Sequence, residues 1–357
     1  MQRHRILAFD GGPSTASSLR YLREIEKAVP GFLAKTYAFA GTSDGAFVAL
    51  YLANQHITPE NGLQIIEDCI AFDNEVFRTF QPGVGGLAKL FSGLRPADSS
   101  SRLKKCLEKG YGANTTLGDC QRKVVAVSYR LRAPMGPTIH CNFGENAEND
   151  ATLVDVAIKS SALPLTMPIY QGHVDGGIFA NNPSMCAIAQ TLSHMRRQGQ
   201  EALIDKICML SLGGRQTELS GKRQRKILEN THVHWGWIDW LLQARNPLFL
   251  LTLLFNSGEG GVTYQCKSLL EDDFLRVAPD GEQEFMWEII DVLLSRVDKV
   301  FNNAEKAAEK WRANTELDNP NYQPAFEPTI EWIQQKWMID QPAPVTMHLS
   351  DPQPLQA

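Results

Sequence analysis

Three features of this sequence predict an α/β fold, a mainly parallel or mixed sheet covered by helices on both faces. Short apolar runs alternate with amphipathic stretches from residue 5 to about 215. Two of those runs end in glycine-bearing turns, Asp10-Gly11-Gly12 and Gly41-Thr42-Ser43-Asp44-Gly45, each followed at once by a helical pattern. At 357 residues and 43% hydrophobic, the chain can bury one large core or two modest ones.

Ile6-Leu7-Ala8-Phe9 marks a strand over 5–9, and Leu19, Leu22 and Ile25 fall at helical spacing within a helix over 14–28. Tyr37-Ala38-Phe39-Ala40 gives a strand over 36–40, and the apolar stretch from Ala46 to Leu52 a helix over 43–54. Thr58-Pro59-Glu60 is a good helix start, so a helix is expected over 58–71, with another over 99–109. Between them, Gln81-Pro82-Gly83-Val84-Gly85-Gly86 and Ser92-Gly93-Leu94-Arg95-Pro96 break the pattern. Residues 81–98 therefore read as a loop that either borders an active-site mouth or simply connects. Further strands are expected over 122–130, 136–143, 168–174 and 206–212, with helices over 152–160 and 183–197.

Beyond residue 215 the texture changes. Lys222-Arg223-Gln224-Arg225-Lys226 is a basic cluster, followed by Trp235, Trp237 and Trp240 and by the apolar segment 247–255. Such a composition would serve a surface-lying membrane segment, but it suits better a helix packed on the core or on a second copy of the chain. Phe285, Ile289, Leu293, Val297 and Phe301 form a four-residue stripe in a helical pattern over 281–313, as core or partner packing requires. The organisation that results is an α/β core over 1–215, a helical C-terminal region over 216–340 that completes or caps it, and a proline-bearing flexible tail over 341–357.

The chemistry is concentrated at the turns. Ser43 lies in a G-x-S-x-G sequence between a strand and a helix, where Gly41 and Gly45 relieve crowding and the helix N-terminus favours developing negative charge. It is the candidate nucleophile. Gly11 and Gly12 expose backbone N–H groups at a strand end, and the amide of Asp44 adds a third, so these three are candidate oxyanion donors. Ile169-Tyr170-Gln171-Gly172-His173-Val174 leads into Asp175-Gly176-Gly177, and Asp175 is the candidate base. A solvated aspartate would be a weak base, so this role also demands burial that raises its pKa.

These motifs, with Ser160-Ser161-Ala162-Leu163-Pro164 and Asn181-Asn182-Pro183, resemble in order and spacing those of patatin-like phospholipases over residues 5 to about 215. The resemblance implies a three-layer sandwich and a lipid acyl hydrolase of phospholipase A or lysophospholipase type. It also implies a Ser43–Asp175 dyad, an acyl-serine intermediate, and no calcium, metal or cofactor. One departure stands out. The family loop reads D-G-G-G-x-R-G, whereas here Pro13 replaces the third glycine and the arginine is absent. Proline has no N–H to offer an oxyanion, although it fits the start of a helix.

Two other readings stay open. Pro13 would suit a catalytically weak relative that binds lipid or a protein partner. An α/β-hydrolase esterase would use a histidine after the acid, and His194, His232, His234 and His348 all follow Asp175. His173, two residues before Asp175, shares its strand face and either tunes it or lies at the rim.

Composition excludes other classes. A net charge of -5 gives no general attraction to nucleic acid, and the longest apolar run is far short of the ~20 residues of a membrane span. The N-terminus enters the first strand without a secretory signal, and seven cysteines lack a C-x-x-C pair. The expected setting is cytoplasmic, with peripheral contact at membranes and self-association left open.

Overall fold

The computed structural model describes residues 3–80, 100–164, 166–201, 203–213, 249–278, 296–313 and 324–340. The loop 81–98, the basic cluster 222–226, the three tryptophans that follow it, the first half of the 281–313 helix and the tail 341–357 lie outside the described residues.

Seven strands form one sheet among the described residues: β1 (His4–Phe9), β2 (Ala38–Thr42), β3 (Lys123–Arg130), β4 (Gly136–Cys141), β5 (His173–Asp175), β6 (Ile207–Leu212) and β7 (Phe274–Val277). Their order is β4-β3-β2-β1-β6-β7, with β5 on β3. β1, β2, β3, β6 and β7 are mutually parallel, while β4 and β5 run antiparallel to β3, so the sheet is mixed. Parallel strands buried on both faces read as continuous apolar runs, and all six residues of β1 and of β6 are buried.

The period-two alternation of the strands separates two cores. Leu7, Phe9, Phe39, Val124 and Leu210 face helices α1 (Thr15–Ala28), α2 (Asp44–Asn54), α3 (Gly62–Thr79), α4 (Ser101–Tyr111) and α5 (Leu153–Ser161). Ile6, Ala8, Ala40, Val125 and Met209 face the other way. The single turn α6 (Gly177–Ala180) leads to α7 (Ser184–Arg197), and this second core is covered by α7 and α8 (Phe249–Leu270). The result is the three-layer α/β/α arrangement that the alternating pattern implied.

Most expected elements appear within a few residues of their bounds, and three differences have physical causes. The helix expected from 58 begins at Gly62, because the Asn61 side chain accepts the Thr58 N–H at 2.7 Å and holds a turn there. The strand expected over 168–174 is reduced to His173–Asp175, because Gln171 and Gly172 have φ of 48° and 80° and fold Tyr170 back onto His173. The strand β7 was not anticipated, since Arg276 interrupts a run of only four residues.

Past α8 and β7, α9 (Val297–Ala313) buries Val297 and Phe301 of the expected stripe against Phe77, and α10 (Phe326–Trp332) leads into a short π-turn ending at Trp337. Trp337 is fully buried in the main core, stacked on Phe32 at 4.8 Å between ring centroids. Among the described residues, no helix is long and apolar enough to cross a membrane. Because Trp337 is a fully buried core residue packed on Phe32, Trp337→Ala should cost about 3–5 kcal/mol in urea unfolding. A loss below 1 kcal/mol would mean that this C-terminal segment contributes little to the core.

Candidate active site

β3 brings the site together by pairing with two strands along one edge. Its first five residues pair with β2, ending at Thr42 opposite Val127, and its last three pair with β5, where Asp175 lies opposite Ser128. Thr42, the residue before Ser43, and Asp175 therefore sit beside consecutive positions of one strand, which brings Ser43 and Asp175 together across 132 residues of sequence. The Ser43 hydroxyl donates to Asp175 Oδ2 at 2.7 Å. The other carboxylate oxygen accepts the Gly177 N–H at 2.7 Å.

The turn at Ser43 is tight in the way the glycines suggested. Ser43 has φ of 53°, a left-handed conformation that costs energy for a residue with a side chain. A Cβ on Gly41 would stand 2.1 Å from the Gly45 carbonyl oxygen, and one on Gly45 would stand 2.3 Å from that of Phe9. Ser160 on α5 braces the turn: its hydroxyl accepts the Ser43 N–H at 2.9 Å and donates to the Val127 carbonyl at 2.6 Å. Sequence reasoning quoted Ser160 only as part of a motif, because the bond that gives it a role spans 117 residues.

Burial raises the Asp175 pKa to about 6, against the opposing effect of the bonds from Ser43 and Gly177. The demand placed on a candidate base, partial burial with an upward shift, is met. The Asp44 carboxyl is raised well above its usual range by burial, with the charges of Asp73 and Asp175 adding to the effect.

The glycine loop follows β1. Gly12 has φ of 97°, and Pro13 stands just ahead of α1, its carbonyl accepting the Ala16 N–H at 3.1 Å. The expectation that the Gly11 N–H faces an oxyanion needs correction, because that N–H donates to the Asn181 carbonyl at 3.0 Å. Gly11 is instead a position where bulk is excluded: a Cβ there would lie 2.6 Å from Asn181 Oδ1 and 3.2 Å from Ser43 Cβ. The backbone N–H groups of Gly12 and Asp44 have no partner among the described residues.

The patatin-like phospholipase family model matches residues 7–188, just over half of the chain. The chain belongs to the patatin-like phospholipase family. A putative sporulation hydrolase, CotR, of Bacillus subtilis is 28% identical over 78% of this chain and 88% of its own length. Patatin-like protein 1 of Oryza sativa subsp. indica is 28% identical over 67% of this chain and 64% of its own. Among solved structures, VipD from Legionella pneumophila aligns with 86% of this chain and 67% of its own at a TM-score of 0.36 and 11% identity.

In this patatin-like chain the described histidines make no hydrogen bond to Ser43 or Asp175. His173 Nδ1 and His140 Nε2 each lie 2.9 Å from the Ser128 hydroxyl, and His140 Nδ1 is 2.6 Å from Glu148 Oε2. Burial, with the charges of His140 and Lys159, lowers the His173 pKa to about 4. His194 packs edge-on against Phe143, 5.4 Å between ring centroids. His232, His234 and His348 lie outside the described residues. No metal-holding group of three or more His, Cys, Asp or Glu exists among the described residues.

The largest feature that sequence reasoning missed is Arg276. Buried on β7, it grips both carboxylate oxygens of Asp10, at 2.8 Å for the Nη1–Oδ1 bond, and also contacts Ser211 Oγ at 2.7 Å and Glu259. Asp10 is the residue ahead of Gly11, so this bidentate clamp fixes the root of the glycine loop. Burial raises the pKa of Glu259 to about 8, with Arg276 opposing and Asp10 adding to the rise. Burial raises Asp10 as well, with Arg276 opposing; Glu259, at about 8, is largely neutral near pH 7, and the bidentate contact makes Asp10 the carboxyl that Arg276 pairs with. Removing the cation strands a buried carboxylate, whereas Glu259→Gln mimics a group already neutral. Arg276→Gln should therefore cost about 3–5 kcal/mol in urea unfolding, and Glu259→Gln less than about 1.5 kcal/mol. Equal losses would contradict this charge assignment.

Proposed function

We propose that this protein is a phospholipase A or lysophospholipase that cleaves lipid acyl esters through an acyl-serine intermediate. The observation that carries the reading is the 2.7 Å bond from the Ser43 hydroxyl to a buried, pKa-raised Asp175. Family membership supplies the lipid substrate class.

In the proposed reaction Asp175 takes the Ser43 proton as Oγ attacks the ester carbonyl. The tetrahedral oxyanion is held by the N–H groups of Gly12 and Asp44 at the start of α2, worth on the order of 3 kcal/mol per donor. Protonated Asp175 then gives its proton to the leaving alcohol. In the second half it deprotonates water, which attacks the acyl-serine and frees the fatty acid. Each step is assigned to a residue of this chain, so calcium and other cofactors are not required. All seven cysteines are free thiols, which supports a cytoplasmic setting with peripheral access to lipid surfaces.

The test is hydrolysis of a fluorescent phospholipid and of a p-nitrophenyl ester, with and without EDTA. Wild type should turn over undiminished in chelator. Ser43→Ala and Asp175→Asn should each lower kcat at least a thousandfold while circular dichroism stays unchanged. No turnover by folded wild type would favour a lipid-binding relative disabled at Pro13. Abolition by a histidine substitution, with Asp175→Asn active, would favour a histidine-based triad.

The raised Asp175 pKa fixes two pH dependences. As a base it must be ionised, so kcat/KM should climb tenfold per pH unit below about 6 and flatten above it. For stability, the folded pKa exceeds the unfolded value, so this group's favourable contribution is full below about pH 4 and is lost as pH rises through about 6. Asp175→Asn, which cannot ionise, should therefore gain roughly 1–3 kcal/mol over wild type at pH 7.5 and little at pH 4. A destabilised Asn variant at pH 7.5 would refute the burial account.

A further inference from the structure

The end of the sheet opposite Ser43 carries a cleft of about 620 Å³ whose lining is strongly cationic. Arg3 and Arg5 enter it from the start of β1, Lys35 and Thr36 from the segment ahead of β2, and Arg122 and Lys123 from the start of β3. Asp340 is the one carboxylate in that lining. Arg3 is paired with Asp273 and donates to the Lys336 carbonyl at 2.8 Å. With Asp273 counted as well as Asp340, five cations face two carboxylates, in a chain whose net charge is -5.

A further observation points to an anion. Asp340 shows where an acceptor sits: its exposed carboxylate bridges Arg5 Nη2 at 2.6 Å and Lys35 Nζ at 3.5 Å, drawing cations from two elements to one point. Arg122 donates to the Ala34 and Ile57 carbonyls at 3.2 Å each and Lys123 Nζ lies 5.8 Å from the Phe143 ring centroid, and neither has an acidic partner among the described residues.

We propose that this cleft is a second ligand site, for a soluble small molecule carrying two or more phosphate groups. One phosphate takes the position of the Asp340 carboxylate between Arg5 and Lys35, and another meets Arg122 and Lys123. Arginine and lysine side chains from three chain segments that line one cleft suit clustered phosphate oxygens. A recessed polar cleft suits a soluble ligand better than a flat bilayer. The site is separate from the ester-cleaving one: β1 spans the five residues from Arg5 to Asp10, about 17 Å at ~3.3 Å per residue.

Isothermal titration calorimetry of the full chain at low salt, with pyrophosphate and with ATP as probes, tests this. Wild type should bind at one to one, more weakly as salt rises. Lys35→Glu/Lys123→Glu should bind at least tenfold more weakly, and Asp340→Asn, which removes the internal competitor, several-fold more tightly. All three proteins should keep their circular dichroism and their basal ester hydrolysis. The opposite signs separate site chemistry from general damage. Absence of binding by both probes at millimolar concentration overturns the proposal. So does equal affinity in wild type and the lysine double variant, no tightening in Asp340→Asn, or binding only to phosphatidic acid vesicles. Because the readout is binding, the outcome is independent of whether Ser43 proves to be a nucleophile.

Discussion

The register of β3 is the constraint on which the candidate site depends. A strand rises about 3.3 Å per residue, and its ladder bonds allow little slip when both faces are buried. By pairing Thr42 with Val127 and Asp175 with Ser128, β3 fixes the separation of Ser43 and Asp175 through two ladders instead of two loops. The neighbouring details conform to that register. Ser160 uses the Val127 carbonyl to brace Ser43, and a Cβ on Gly176 would lie 2.1 Å from the same oxygen. Asp-Gly-Gly is thus required sterically as well as chemically, since any side chain at 176 would push β5 off its partner. Reacting groups held on strands and braced by buried hydrogen bonds need little reorganisation, which is the physical basis of efficient positioning.

Much of this was legible in sequence, and the parts that were not share a cause. Strands β1, β2 and β6 are buried on both faces, so their composition alone betrays them. Gly41, Gly45 and Gly176 are legible because turns that exclude a Cβ leave glycine as the sole solution. The sequence shows donors and acceptors but not their partners. Gly11 therefore read as an open N–H until Asn181, 170 residues later, was seen to occupy it. Arg276 was invisible for the same reason, and doubly so because a buried charge breaks the apolar pattern by which a strand is recognised. The short β5 escaped because its boundary is set by the left-handed Gln171, a conformation its residue type does not announce.

Desolvated carboxyls gather at the Ser43 end of the sheet. Asp10, Asp44, Asp73, Asp175 and Glu259 all have pKa values raised by burial, Asp73 to about 7 and Glu259 to about 8. Arg276 is the cation in contact with two of them, and neither oxygen of Asp73 has a hydrogen-bond partner among the described residues. Were all five ionised, their mutual repulsion in a low dielectric would oppose both folding and the formation of an oxyanion beside Asp44. Desolvation prevents this by favouring the neutral acids.

That arrangement bears on how a weakly basic aspartate can activate serine. The same exclusion of water that raises Asp175 also raises Asp44, one residue from Ser43, so in the proposed reaction the carboxyl nearest the developing negative charge is favoured as the neutral acid while its backbone N–H is left to donate. Base strength and reduced repulsion are two consequences of one dry environment, and each would be lost if solvent entered. The opposite end of the sheet, around Arg5 and Lys123, is the converse case: cations gather there, and Asp340 pairs with Arg5. One mixed sheet thus separates an acidic end from a basic end. The separation follows from strand direction, since every parallel strand delivers its first residues to one edge and its last to the other.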